Sequence, residues 1–157
     1  MQTIQIGNRL IGEDYPVYFV ADIASNHDGD FQRSLALIKL AAEAGAHAAK
    51  FQLFVADGIV SKYGFEGLQI GHQAGWKESV YETYEKYSLA IKWIPHLASC
   101  CNSLGIDFLC TPYSLDAIDI LDPYVSAYKI GSGDIDWLEF IKRVAMKGKP
   151  ILLSTGA

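Results

Sequence analysis

The feature that most constrains this chain is a repeated alternation. A short, continuously apolar run is followed by a helix-like stretch and then by another such run, with very few residues at the joints. Val17-Tyr-Phe-Val-Ala21 is too uniformly apolar for a strand with one wet face, and parallel strands covered on both faces have this composition. Asp30 is placed to cap a helix in which Leu35, Ile38 and Ala42 mark an inward stripe, and Gly45 is its expected stop. Ala48-Ala-Lys-Phe-Gln-Leu-Phe54 follows almost at once. Strand, helix and strand with short joints imply parallel pairing through a right-handed crossover.

The alternation continues downstream. A helix is predicted from Trp93 to Leu104, with Pro95 tolerated in its first turn, a buried stripe of Ile94, Leu97, Cys101 and Leu104, and Gly105 as its end. Ile106-Asp-Phe-Leu-Cys110 is the third strand. Ser114 caps a short helix carrying Ile118 and Leu121, and Asp122-Pro123 turns the chain. The fourth strand lies in Ser126-Ala-Tyr-Lys-Ile-Gly-Ser-Gly-Asp134. Asp136 with Glu139 makes a capping-box-like start for the next helix, Lys147-Gly148 closes it, and Pro150-Ile-Leu-Leu-Ser154 is the fifth strand. Ahead of all this, Thr3–Ile6 and Arg9–Ile11 flank Gly7-Asn8, a hairpin signal. Between Val55 and Ser88 no clean period persists, and Gly58, Gly64, Gly67, Gly71 and Gly75 alternate with aromatics and charges. Such an insertion reads as a substrate-covering loop. Helical character is expected from Glu78 to Tyr87, and Tyr81 and Tyr84 fit packing, partner contact or ligand contact equally.

The pattern therefore predicts an α/β fold: the N-terminal portion, about five strands, of a (β/α)8 TIM barrel preceded by a short β-hairpin. Residues 1–15 are the hairpin cap and residues 16–157 the partial barrel. A closed barrel typically takes about 250 residues, so the chain is expected to be truncated. A complete doubly wound five-stranded domain is the alternative architecture. No Gly-x-Gly-x-x-Gly follows the first strand, which disfavours a dinucleotide fold.

Composition narrows the partners. Half the residues are hydrophobic and the formal charge is −5, which suits a packed domain and argues against nucleic acid, whose binding needs a basic face. No basic segment leads into an apolar run at the start, and no uncharged apolar run is long enough to span a bilayer, so no membrane partner is expected. Cys100, Cys101 and Cys110 make a poor disulfide framework and point to the reducing cytoplasm. Neither a Cys-x-x-Cys nor a His-x-x-x-His spacing is present, and no metal ligand is assigned to this chain.

Polar residues gather after the predicted strand ends: Asp22, Asn26 and His27, then Lys50 and Gln52, then Thr111, then Lys129, Ser132 and Asp134, then Ser154. That edge is where α/β sheets present ligand sites. Two lysines with hydroxyls from three tips can seat a phosphate and a carboxylate, and two carboxylates beside them can move protons or orient sugar hydroxyls. Each has a plainer reading. A strand-end lysine is commonly solvated or paired with an acid, Asp22 can cap the turn toward Asn26, and Thr111, Ser132 and Ser154 can satisfy turn backbone. His27 in Asn-His-Asp-Gly reads as a loop residue more readily than as a metal ligand. Joint placement at one end of consecutive strands favours the functional reading.

Five stretches together resemble the sialic acid synthases, the N-acetylneuraminate synthase group with its legionaminate and pseudaminate relatives. They are Ala21-Asp-Ile-Ala-Ser-Asn-His-Asp-Gly29, Ala44-Gly-Ala-His-Ala-Ala-Lys-Phe-Gln52, Cys110-Thr-Pro112, Tyr128-Lys-Ile-Gly-Ser-Gly-Asp134 and Lys149-Pro-Ile-Leu-Leu-Ser-Thr-Gly156. The resemblance implies a barrel enzyme, a transferase that condenses phosphoenolpyruvate with an N-acetylated amino sugar, N-acetylmannosamine-like, to a nonulosonic acid with release of phosphate. It implies Asp22, Lys50 and Lys129 as catalytic residues, with Asn26, Gln52, Thr111, Ser132, Asp134 and Ser154 as substrate-binding residues. Lys50, Thr111, Lys129, Ser132 and Ser154 would hold phosphoenolpyruvate, and Asp134 the sugar. It further implies a divalent metal, manganese or magnesium, polarising the sugar aldehyde. Its histidine ligands, and a C-terminal lid domain completing the site across a homodimer, would lie outside this chain. The isolated chain is accordingly expected to be inactive. Two positions depart from the family pattern, which has glutamate where Asp22 and Asp134 stand, and Cys110 replaces its serine. A non-catalytic sugar- or partner-binding domain of the same fold, and another TIM-barrel aldolase or lyase, are the alternatives.

Overall fold

A computed structural model of the protein describes residues 3–65 and 72–156. Gly67 and Gly71 of the predicted covering loop lie outside the described residues.

Strands β1 (Ile4–Ile6) and β2 (Arg9–Ile11) pair antiparallel, with Ile6 opposite Arg9. Gly7 turns between them at φ +56°, and a Cβ there would lie 2.0 Å from Asp107 Oδ1. Only glycine satisfies both the left-handed turn and that close approach. Ile6 is buried against Ala48, Leu109 and Ala127 of the main sheet, so the hairpin packs on that sheet.

The main sheet contains β3 (Val20–Ala24), β4 (Ala48–Leu53), β5 (Asp107–Pro112), β6 (Tyr128–Ile130) and β7 (Ile151–Leu153), all parallel and in the order β3-β4-β5-β6-β7. Spatial order follows chain order without a reversal. A doubly wound sheet reverses its order at a switch point, so that alternative is overturned.

Helices α1 (Phe31–Glu43), α4 (Ile94–Ser103), α5 (Leu115–Leu121) and α6 (Leu138–Ala145) supply the crossovers. One core joins them to one face of the sheet: Ile38, Leu97, Cys101, Ile118, Leu121, Phe140 and Val144 meet Ile23, Ala49, Phe51, Phe108, Cys110, Tyr128 and Ile130. The strand residues between these face the other way. Ala48, Leu109 and Ala127, with Val20 and Leu152 beside them, form an apolar layer under the hairpin. The next inward positions along the same strands are Asp22, Lys50, Thr111, Lys129 and Ser154.

The insertion after β4 holds α2 (Ala56–Ile59), a 3-10 turn at His72–Gly75 and α3 (Val80–Lys86). Ser79 and Glu82 make a reciprocal capping box for α3. Tyr81 donates to Asp57 at 2.7 Å and ties α3 to α2, while Tyr84 packs its ring edge-on to Phe54.

Several local expectations are corrected. The first strand of the sheet begins at Val20, not Val17, because pairing starts where His47 N and Ala48 N both bond Phe19 O; Val17 and Phe19 are 67% and 61% exposed. Asp30 caps α1 through bonds from Gln32 N and Arg33 N, and Ser114 caps α5 through Ala117 N. The capping box at Asp136 and Glu139 is absent. A 3-10 turn at Ser132–Asp134 carries the chain to Trp137, which occupies the N-cap of α6 without a side-chain bond. Leu104 lies beyond the end of α4 and is 40% exposed, so the buried stripe of that helix is Ile94, Leu97 and Cys101.

Candidate active site

The concave face of the sheet holds a cavity of about 710 Å3. Its floor is made by strand side chains that alternate away from the helices, which is why it is polar while the opposite face is core. Ser132, Asp134 and Ser154 lie beyond the ends of β6 and β7 as expected, and the other lining residues of the set do not. Asp22, Lys50, Gln52, Thr111 and Lys129 lie within β3, β4, β5 and β6 and face inward. A bulge in the β3–β4 pairing between Asp22 and Ala24, with Ala24 at φ +49°, ends the regular register at the cavity rim.

Lys50 is the buried cation of the floor. Its Nζ donates to Asp22 Oδ1 at 2.7 Å, and its side chain is 10% exposed against 61% for Asp22. The ammonium is thus largely withdrawn from water while its counter-charge is not. Lys129 Nζ bonds Ile130 O at 3.1 Å and donates to Ser154 Oγ. Burial first, and then the neighbouring Lys50 ammonium, hold Lys129 below the ordinary lysine range; Asp22 pulls the other way. A second positive charge beside an already buried one is costly unless an anion is expected there. Thr111 is buried at the same level, and Ser132 and Ser154 complete the hydroxyl set around the cavity.

The far wall carries Asp134. Burial, and secondarily Asp136, raise its carboxyl above the usual aspartate value. Among the described residues its Oδ2 is buried without a hydrogen-bond partner. A Cβ on Gly131 would stand 3.2 Å from that oxygen. Gln52 reaches Tyr113 Oη with its Nε2 and accepts from Ser25 Oγ, both at 3.4 Å.

Of the predicted site residues, Asp22, Lys50, Gln52, Thr111, Lys129, Ser132, Asp134 and Ser154 all line this cavity. Asn26 is not among its lining residues; its Nδ2 donates to Ile23 O at 2.9 Å and its carbonyl accepts from Arg33 Nε at 2.7 Å, fixing the β3–α1 turn. His27 lies in the turn after β3, as expected of a loop residue, and is fully buried there. Its Nδ1 accepts from Gly29 N at 3.1 Å, its ring stands edge-on to Trp93, and burial holds it below the usual histidine value, hence neutral. Tyr113 and Trp137 line the cavity and were not singled out from sequence; Tyr113 directly follows the Thr111-Pro112 pair, the one signal that was available. The cysteines are free, and burial pushes the Cys101 thiol up to about 12 and the Cys110 thiol higher still, so neither is a nucleophile at neutral pH.

Among the described residues no group of three or more His, Cys, Asp or Glu side chains comes together that could hold a metal ion. The described residues thus offer no ligand set for the divalent cation that the resemblance implies, whose histidine ligands it places outside this chain. Among the same residues, no helix is long and apolar enough to cross a membrane.

A family model described as the NeuB family matches residues 37–157. The Bacillus subtilis spore coat polysaccharide biosynthesis protein SpsE is 37% identical over 158 residues, which span 99% of this chain and 41% of that protein. The Legionella pneumophila N,N'-diacetyllegionaminic acid synthase is 33% identical over 146 residues, spanning 92% of this chain and 41% of that protein. Among solved structures, the N-acetylneuraminic acid (sialic acid) synthetase from Leptospira borgpetersenii serovar Hardjo-bovis, in complex with citrate, superimposes with a TM-score of 0.85 at 27% identity. It covers 99% of this chain and 50% of that one. The chain thus spans about two-fifths of the length of these curated relatives.

Proposed function

The chain belongs to the NeuB family, and from that premise we propose that the full-length protein condenses phosphoenolpyruvate with an N-acetylated amino sugar to a nonulosonic acid, releasing phosphate. In this reading residues 16–157 are the first five strands of an eight-stranded barrel and residues 1–15 its hairpin cap. The protein works in the cytoplasm as a homodimer. The observation that carries the proposal is the pair of ammonium groups, buried Lys50 and half-buried Lys129, on one polar floor with Thr111 and Ser154. Such a floor suits a small polyanion and little else.

Phosphoenolpyruvate lies with its phosphate and carboxylate on Lys50, Lys129, Thr111, Ser132 and Ser154. This orients C3 toward the wall that carries Gln52 and Asp134, where the open-chain sugar sits. C3 attacks the aldehyde carbon, a C–C bond forms, and the aldehyde oxygen takes up a proton. The C2–C3 double bond of the enol phosphate is consumed in forming that bond, and positive charge is left at C2. Water adds there and gives up a proton, for which Asp22, half in solvent and bonded to Lys50, is the acceptor at the floor. The tetrahedral carbon then expels phosphate and becomes the keto group. The lysines neutralise the polyanion and stabilise the phosphate as it leaves, which is positioning and electrostatics rather than covalent chemistry. Residues outside those described would hold a divalent cation, which would supply polarisation of the sugar aldehyde.

The test is phosphate release from phosphoenolpyruvate by the full-length protein, with manganese and a panel of 2-acetamido sugars. Sugar-dependent release is expected; a folded protein that releases nothing across the panel contradicts the proposal and supports the binding-domain alternative. One observation favours a second enzymatic reading: the amine of Lys129 is held below the ordinary lysine range, as a Schiff-base lysine requires. Borohydride trapping with a keto acid separates the two, since the synthase reading predicts no adduct.

A further inference from the structure

Next to Lys50 along β4, Gln52 is the middle of a chain of hydrogen bonds that the proposed reaction leaves without a task. Ser25 Oγ donates to Gln52 Oε1, and Gln52 Nε2 donates to Tyr113 Oη, each at 3.4 Å. This orientation of the Gln52 amide uses one lone pair of the phenol and leaves its proton to be given elsewhere. The ring is held in place by packing: Phe54, itself buried, meets it edge-on with centroids 6.1 Å apart. The backbone of Tyr113 is fixed too, its N–H bonding Leu53 O at 3.1 Å.

What faces that proton is unusual. A Cβ on Gly131 would lie 3.2 Å from Asp134 Oδ2 and 3.7 Å from Tyr113 Oη, so both oxygens stand close around one glycine. Asp134 Oδ2 is buried and without a partner among the described residues. Burial, followed by the charge of Asp134, raises the Tyr113 phenol above its usual value, which keeps the proton in place at neutral pH. A donor and an unused acceptor therefore flank the same glycine on the cavity wall without bonding each other. A buried acceptor without a partner costs free energy unless a ligand satisfies it. The ligand group that can accept from a phenol and donate to a carboxylate at once is a hydroxyl.

We infer that Tyr113 is a specificity-determining residue of the acceptor subsite, donating to a single hydroxyl of the open-chain amino sugar whose proton goes to Asp134. This rests on the synthase reading above. Gln52 and Ser25 set the direction of the Tyr113 proton and do not touch that hydroxyl. Gly131 is required so that both oxygens can approach it. The subsite discriminates by the unpaired groups that a wrong sugar leaves behind, the stronger form of hydroxyl recognition.

The experiment is a thermodynamic cycle on the full-length protein that pairs one substitution with one change in the sugar. Tyr113→Phe keeps the ring and its packing on Phe54 and removes only the donor. The substrates are the 2-acetamido sugar that supports phosphate release and its set of monodeoxy analogues. Tyr113→Phe is expected to raise the KM for the parent sugar about tenfold, with the KM for phosphoenolpyruvate unchanged, as for one lost hydrogen bond to substrate. One deoxy analogue is expected to be poor with the wild-type protein and to suffer less than about a twofold further loss in the variant. Equal losses across all analogues, an unchanged sugar KM, or a variant that melts well below wild type would overturn the inference and make the phenol a packing element. A wild-type protein that releases no phosphate with any sugar overturns the synthase reading itself, and is distinguishable because it appears before any variant is made.

Discussion

Replacing Lys50 with methionine should separate binding from stability. The ammonium is the buried partner of its ion pair and Asp22 the exposed one, at 10% and 61%. Lys50→Met keeps the aliphatic stem and removes a charge that folding had to desolvate, and it leaves behind a carboxylate that water can reach. The net change in folding free energy is expected within about 1 kcal/mol, with no loss required. Asp22→Asn does the reverse. It strands the buried ammonium with a weaker partner and should cost about 1–2 kcal/mol. Binding follows the opposite ranking. An ammonium on an anionic ligand contributes about 1.5–3 kcal/mol as a charge-assisted hydrogen bond, below the roughly 4 kcal/mol of Coulomb attraction at 4 Å and an effective dielectric of 20. Lys50→Met should therefore weaken phosphoenolpyruvate binding about 10- to 150-fold. Denaturant titration and isothermal calorimetry on the full-length protein read the two quantities. A Lys50→Met variant that is less stable than Asp22→Asn, or that binds phosphoenolpyruvate as wild type does, would refute the claim that this charge serves a ligand.

Three further outcomes follow from the geometry. Lys129 is held below the ordinary lysine range, so its charge, and with it phosphoenolpyruvate affinity, should be lost as pH rises before a free lysine would titrate. Lys129→Arg should move that alkaline limb upward in a calorimetric pH series. Asp134 has a raised carboxyl pKa through burial, so its ionised form destabilises the fold above the usual aspartate range. Asp134→Asn should raise the melting temperature at pH 7, and the gain should vanish below about pH 4, where wild-type Asp134 is also neutral. Gly7→Ala would place a Cβ at φ +56° and 2.0 Å from Asp107 Oδ1, displacing a carboxylate that accepts from Tyr18 and Ser126. A loss of about 2–4 kcal/mol is expected in denaturant titration, and a loss under about 1 kcal/mol would mean that the hairpin is free to shift.

The order of elements was legible because each strand and helix carried its own punctuation: Asp30, Gly45, Ser114 and Gly148 fall where the chain changes structure. The start of the first sheet strand was not, because Val17 to Ala21 is apolar on every residue and nothing in it marks where pairing begins. That offset moved Asp22 from within a strand to a position past its end. In β4 the inward face could be read from Lys50 and Gln52, which alternate with Phe51 and Leu53, because polar side chains cannot sit in the helix-side core. The Ser79–Glu82 capping box lay in the stretch without periodicity and was passed over, whereas the similar spacing at Asp136 and Glu139 was pre-empted by the turn that follows Gly131. The joint appearance of eight predicted residues around one cavity reflects the two-residue period of the strands combined with an unreversed strand order. Tyr113 escaped because an aromatic after Thr-Pro looks like core until the cavity beside it is seen.

In the proposed reaction carbon, not phosphorus, is attacked, on a floor that holds the departing phosphate. Phosphoenolpyruvate carrying heavy oxygen in the C2–O–P bridge tests it directly when incubated with the full-length protein and its acceptor sugar. C–O cleavage is expected, with the label recovered in the released phosphate. Phosphate released without the label would mean attack at phosphorus, and would rule out the proposed condensation.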